Sequence, residues 1–121
     1  MITDTFLQNI AGLINGESTN IPTHAAFSSS VIEADATRTS LPSELDVTRP
    51  TVSKTRDTTL TTYTFLRSGT AASSSGDFIN SMGLIDSATG GFLMADAIVS
   101  SLLHTTDFDV DVSWSFEIRR V

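Results

Sequence analysis

Twelve consecutive residues near the C-terminus, Phe108-Asp109-Val110-Asp111-Val112-Ser113-Trp114-Ser115-Phe116-Glu117-Ile118-Arg119, alternate without a break between apolar and polar. A period of two is the mark of a strand with one face buried and one wet. The register admits no slip. Moving it by one residue would bury aspartates and expose Trp114. A chain built around such a strand needs a sheet to pair it and a second layer to cover its apolar face.

The stretch before it supplies a hairpin. Phe78–Ile85 and Phe92–Val99 are β-compatible runs around Asp86-Ser87-Ala88-Thr89-Gly90-Gly91. The loop is longer than two residues, and its glycines supply the positive φ that such loops need. Further strands are expected at Ile21–Phe27, with Pro22 fixing its start, and at Val52–Arg56 and Thr59–Arg67, joined through Arg56-Asp57-Thr58. The Thr59–Arg67 run shows no plainly wet face. Ser68–Gly76 is a polar loop.

At the N-terminus Phe6, Leu7, Ile10, Leu13 and Ile14 recur at helical spacing. Thr3 or Asp4 is placed to cap, and Gly16 to stop, a helix over about Thr3–Asn15. Residues 28–50 carry weak signals, with at most a helical turn around Ser43–Leu45. A long excursion of this kind suggests an arm that orders against a partner through Val31, Ile32, Leu41 and Leu45. Together these readings give an α+β, mainly β chain of 121 residues: one antiparallel β-sandwich of six or seven strands with an N-terminal amphipathic helix. The expected core is Phe6, Ile10, Leu84, Ile98, Val112, Trp114, Phe116 and Ile118.

The ionisable groups argue against several kinds of chemistry. There is no cysteine, so thiol nucleophiles, disulfides and thiolate metal sites are ruled out. One lysine and six arginines against fourteen acids give a net charge of −7, which opposes nucleic-acid binding. No apolar run approaches the ~20 residues of a membrane span, and the first residues lack the basic and apolar regions of a signal peptide. Ser and Thr supply over a quarter of the residues, which suits strands and polar loops but offers few acid–base groups. Asp107, Asp109 and Asp111 invite a calcium reading, but the glycine and glutamate of an EF-hand loop are replaced by Val112 and Ile118. They are expected to line a solvated strand face and are weak metal candidates. His24 and His104 lack the partners of a catalytic centre, and no cofactor is implied.

The order Gly-Leu-Ile-Asp-Ser-Ala-Thr-Gly-Gly-Phe-Leu-Met-Ala, then Asp-Val-Asp-Val-Ser-Trp-Ser-Phe-Glu-Ile, resembles small β-rich structural proteins of tailed bacteriophages and archaeal tailed viruses. The front resembles them too, with an amphipathic helix followed by the extended Pro22–Phe27. The resemblance implies a non-enzymatic virion protein, assembled in the host cytoplasm. It would contact copies of itself and other virion proteins, in the tail, baseplate or fibre-attachment region or on the head surface. Read from the residues alone, Arg119 and Arg120 at the end of the last strand are expected on the surface, with pairing to acids of a neighbour as the second role. The alternative is a stand-alone sugar-binding β-sandwich.

Overall fold

The computed structural model describes residues 1–45 and 48–120. The expected mainly β fold is present: two three-stranded antiparallel sheets and one N-terminal helix. Sheet A has the order β1-β4-β5, from β1 (His24–Ser28), β4 (Asp77–Ile85) and β5 (Leu93–His104). Sheet B has the order β2-β3-β6, from β2 (Ser53–Asp57), β3 (Leu60–Arg67) and β6 (Val110–Glu117).

The main core lies between the sheets. Ala25, Phe27, Ile79, Leu84 and Ala95 of sheet A meet Tyr63 and Phe65 of sheet B, with the Phe27 and Phe65 rings edge to face at 5.7 Å. Val110, Val112, Trp114 and Phe116 of β6 pack against this cluster but are only half-buried. The alternation therefore reads the face correctly and overstates its burial. The reason is that β6 is the last strand of its sheet, with a neighbour on one side only.

Helix α1 (Asp4–Ile14) begins at Thr3, whose Oγ1 accepts from the Phe6 backbone N–H. Thr3 also ties the helix to sheet A, since its hydroxyl donates to the carbonyls of Leu93 and Met94. Residue Ile2 bridges to Ala95 and so pairs with the start of the outer edge of β5. Phe6 then reaches across to sheet B, edge to face with Phe116 at 5.9 Å. The helix thus spans from one sheet to the other. Of its stripe Phe6 is buried, Ile10 is half-buried, and Leu7, Leu13 and Ile14 are exposed.

Two expected core residues lie outside. Ile98 is 63% exposed: a register shift between Ile79 and Ser81 pairs it with Ser81 on the outer face of sheet A. Ile118 is 74% exposed, because β6 ends at Glu117 and only the Ile118 N–H is held, by the Thr59 carbonyl. In β3, Tyr63, Phe65 and Arg67 point inward while Thr64 and Leu66 are exposed, so this strand does have a wet face. The β2–β3 turn is a two-residue loop, Thr58-Thr59, one residue later than expected, with Thr58 at φ 50°. The Ser68–Gly76 loop is ordered by a short 3-10 turn, Gly69–Ala71, and by Asp77, whose Oδ2 accepts from the Ser73 N–H.

Candidate interaction surface

The 29–45 arm folds back on its own chain. Ile32 and Leu41 are 4% and 6% exposed, in a second core with Ala26, Ile85 and Leu93 on the outer face of sheet A. Gly83 makes room for this layer: a Cβ there would meet the Leu93 and Leu41 side chains and the Ala95 carbonyl. The arm's polar groups are also satisfied within the chain. Asn80 donates to the Ser29 carbonyl (2.7 Å) and Ser81 to that of Ser30 (2.8 Å). The Leu93 N–H donates to the Thr39 carbonyl, and the Leu45 N–H to that of Phe27. Asp35 closes a tight turn, accepting from the Thr37 side chain and N–H, and these bonds hold its carboxyl below the ordinary value.

The sequence-derived anchors therefore divide. Ile32 and Leu41 serve their own fold, which corrects their reading as contacts for a partner. Leu45 is half-buried against the main core, while Val31 is 73% exposed. Arg119 and Arg120 are exposed beyond β6. After the arm, Glu44 and Leu45, and then Pro50, Thr51 and Val52, pair beside the free edge of β1, with a bridge Ser28–Glu44 and another His24–Thr51. Asp46 and Val47 lie outside the described residues. Arg49 locks this segment: Nε and Nη2 fork onto Glu44 (2.8 and 3.0 Å), while Nη1 donates to the carbonyls of Ser87 and Gly90.

The arm covers only part of the outer face. Ile79 and Leu102 form a cross-strand pair facing the core, so the adjacent pair, Phe78 and Leu103, faces out. They are 56% and 41% exposed, and Ile98 lies on the same face. Beside the arm a shallow cleft of about 160 Å³ is lined by Met1, Ile32, Glu33, Asp96 and Ile98, among others. Its size falls below the ~300 Å³ at which small-molecule pockets begin. The buried Asp96 below it is balanced by the Met1 ammonium (3.6 Å) and Arg38 (3.4 Å).

Sequence reasoning missed one buried polar cluster. Arg67 is 2% exposed and His104 is 0% exposed. Arg67 Nη1 donates to His104 Nδ1 (2.6 Å), so the imidazole proton sits on Nε2, which donates to the Phe108 carbonyl (2.7 Å). Arg67 Nη2 also donates to Asp77 Oδ2 (3.0 Å). Partial burial pushes the Asp77 carboxyl up, but the bonds from Arg67 and Ser73 outweigh it and hold the carboxyl below its ordinary value. The signal was in the alternation: Thr61, Tyr63, Phe65 and Arg67 share one face, so the arginine had to point inward. The bonds of Arg67 to His104, Asp77 and the Ala71 carbonyl, and of His104 to the Phe108 carbonyl, stay within the fold and make the cluster a structural pin between β3, β4 and β5.

The three aspartates do not converge. Asp109 Oδ1 accepts from the Gly69 N–H (2.7 Å), and no group of three acidic or histidine side chains among the described residues is placed to hold a metal. His24 is half-buried with Nδ1 2.9 Å from the Thr23 hydroxyl. Among the described residues, no helix is long and apolar enough to cross a membrane. No family model, curated protein or solved structure matches the chain.

Proposed function

We propose that the chain is a non-enzymatic structural subunit of a tailed-virus particle. It would assemble as a symmetric oligomer in the tail, baseplate or fibre-attachment region. The observation that carries this reading is the exposed apolar set Phe78, Leu103 and Ile98. These residues are mounted on regular strands, next to a part of the same face that the chain covers for itself. Exposed apolar groups clustered on a rigid face mark protein–protein contacts more often than chance exposure. Leu7, Leu13 and Ile14 of the helix offer a second such group. The sequence resemblance supplies the class of particle.

A paired substitution, Phe78→Asp with Leu103→Asp, tests the reading. Both side chains are already half in water, so the variant is expected to melt within a few degrees of wild type while failing to enter particles. Incorporation at wild-type level would overturn the assignment of this face. A sugar-binding module is the second reading, favoured by the exposed rings of Phe78, Phe92 and Phe108. Binding on a glycan screen that is lost on Phe78→Ala, by a chain absent from particles, would select it.

A further inference from the structure

Sheet A has chain paired on both edges: residues 1–3 bond to Met94–Asp96 at the start of β5, and Glu44, Leu45 and residues 50–52 bond along β1. Sheet B has not. Its outer strands are β2 and β6, and among the described residues only β3 forms backbone hydrogen bonds with either. The two edges differ in kind. In β2, Lys54 pairs with Tyr63 and Arg56 with Thr61, which places both cations on the core-facing side of the edge. A strand arriving there would have to bury them, and inward-pointing charge is a recognised guard against edge pairing. In β6 the core-facing side is Val110, Val112, Trp114 and Phe116, all half-buried and uncharged. Nothing in that side chain set repels a second strand.

We infer that β6 pairs antiparallel with β6 of a second copy of this chain, about a two-fold axis at Ser115, joining the two B sheets into one of six strands. The inference deepens, and rests on, the reading of the chain as an assembling subunit. The register follows from the sequence. Identical antiparallel strands must pair residues of the same face, so the axis has to pass through a residue. With Ser115 on the axis, Asp111 lies opposite Arg119 twice over. Trp114 faces Phe116, Ser113 faces Glu117, and the exposed Ile118 faces Val112. With Trp114 on the axis, Asp111 would meet Glu117. With Ser113 there, Asp109 would meet Glu117, and with Phe116 there Asp111 gains no cation. Like charges directly opposite destabilise a sheet, whereas opposite charges and aromatic pairs stabilise it. Only the Ser115 register combines both gains without a like-charge pair. It also accounts for two exposed features at the end of β6, Ile118 and Arg119, that the single chain leaves unused.

The chain has no cysteine, so single-cysteine variants report the register cleanly. Sedimentation of the full chain should show a particle of twice 12.9 kDa. Ser115→Cys should oxidise to a disulfide dimer. Ser113→Cys should do so at least tenfold more slowly, since its own copy sits four residues along the partner, roughly 13 Å away. Arg119→Glu should weaken the dimer about tenfold or more, having replaced two attractive pairs by two repulsive ones. Adding Asp111→Arg to Arg119→Glu should restore it. A wild-type chain that sediments as a monomer overturns the proposal. So does equal cross-linking at 113 and 115, an Arg119→Glu dimer of unchanged strength, or failure of the double variant to recover. A dimer absent from virus particles would keep the pairing and remove the subunit reading; a monomer found in particles would do the reverse.

Discussion

Truncating Leu41 to alanine tests whether the arm is part of the fold. Leu41 is 6% exposed and packs with Ile32, Ile85, Leu93 and Ala26 over the side-chain-free surface of Gly83. Buried Leu→Ala changes cost about 2–5 kcal/mol, the low end applying where surroundings can collapse into the space. One wall of this cluster is an irregular segment able to settle inward, so a loss of about 2–3 kcal/mol is expected. For a chain of this size each kcal/mol moves the melting temperature by roughly 4 °C, giving a fall of about 8–12 °C. Val31→Ala, ten residues away and 73% exposed, should shift melting by less than about 2 °C, as surface changes do. Thermal unfolding followed by circular dichroism gives both values. Limited trypsin digestion gives a second readout, since Arg38 in the arm should be cut faster in Leu41→Ala than in wild type. A Leu41→Ala protein that melts with wild type, or a Val31→Ala protein that falls as far, would mean the arm does not rest on sheet A.

Three further outcomes follow from the same geometry. Thr58 holds φ 50° in the β2–β3 turn, a conformation costly for a β-branched residue, so Thr58→Gly should raise stability by about 0.5–1 kcal/mol in urea titrations. The Asp77 carboxyl is held below its ordinary 3.8, so its contribution is complete above that pH and is lost as the pH falls through the folded value. Stability of Asp77→Asn should therefore depend less on pH than wild type below about pH 4, measured by unfolding at a series of acid pH values. Arg49→Lys keeps the charge but loses the fork onto Glu44 and one of its carbonyl contacts, so amide exchange in Ser87–Gly91 should quicken while β4 stays protected.

Strands and helix were legible because they depend on local periodicity. The alternation of β6, the glycine-bearing loop before β5, and the Thr3 cap with the Gly16 stop (φ 81°) each specify backbone geometry on their own. What could not be read was which elements cover which. Ile98 changed faces because of a register shift in the β4–β5 pair, and sequence spacing carries no mark of that. Ile32 and Leu41 were legible as apolar residues in a polar stretch but not as a layer on their own sheet. That placement depends on the arm meeting the bare backbone of Gly83. Burial of β6 was overread because strand order is non-local: β6 follows β5 in sequence yet pairs with β3, at the end of the other sheet. The candidate interaction surface was the least legible part, since exposure of Phe78 and Leu103 depends on where the arm stops.

The proposal that the chain is a particle subunit is tested most directly by quantitative mass spectrometry of purified tailed-virus particles made from a genome that carries its gene. With heads and tails separated, the account predicts the chain in the tail fraction, in a fixed copy number per particle that matches the symmetry of its site. A chain found only in extracts of infected cells, and absent from washed particles, would contradict it.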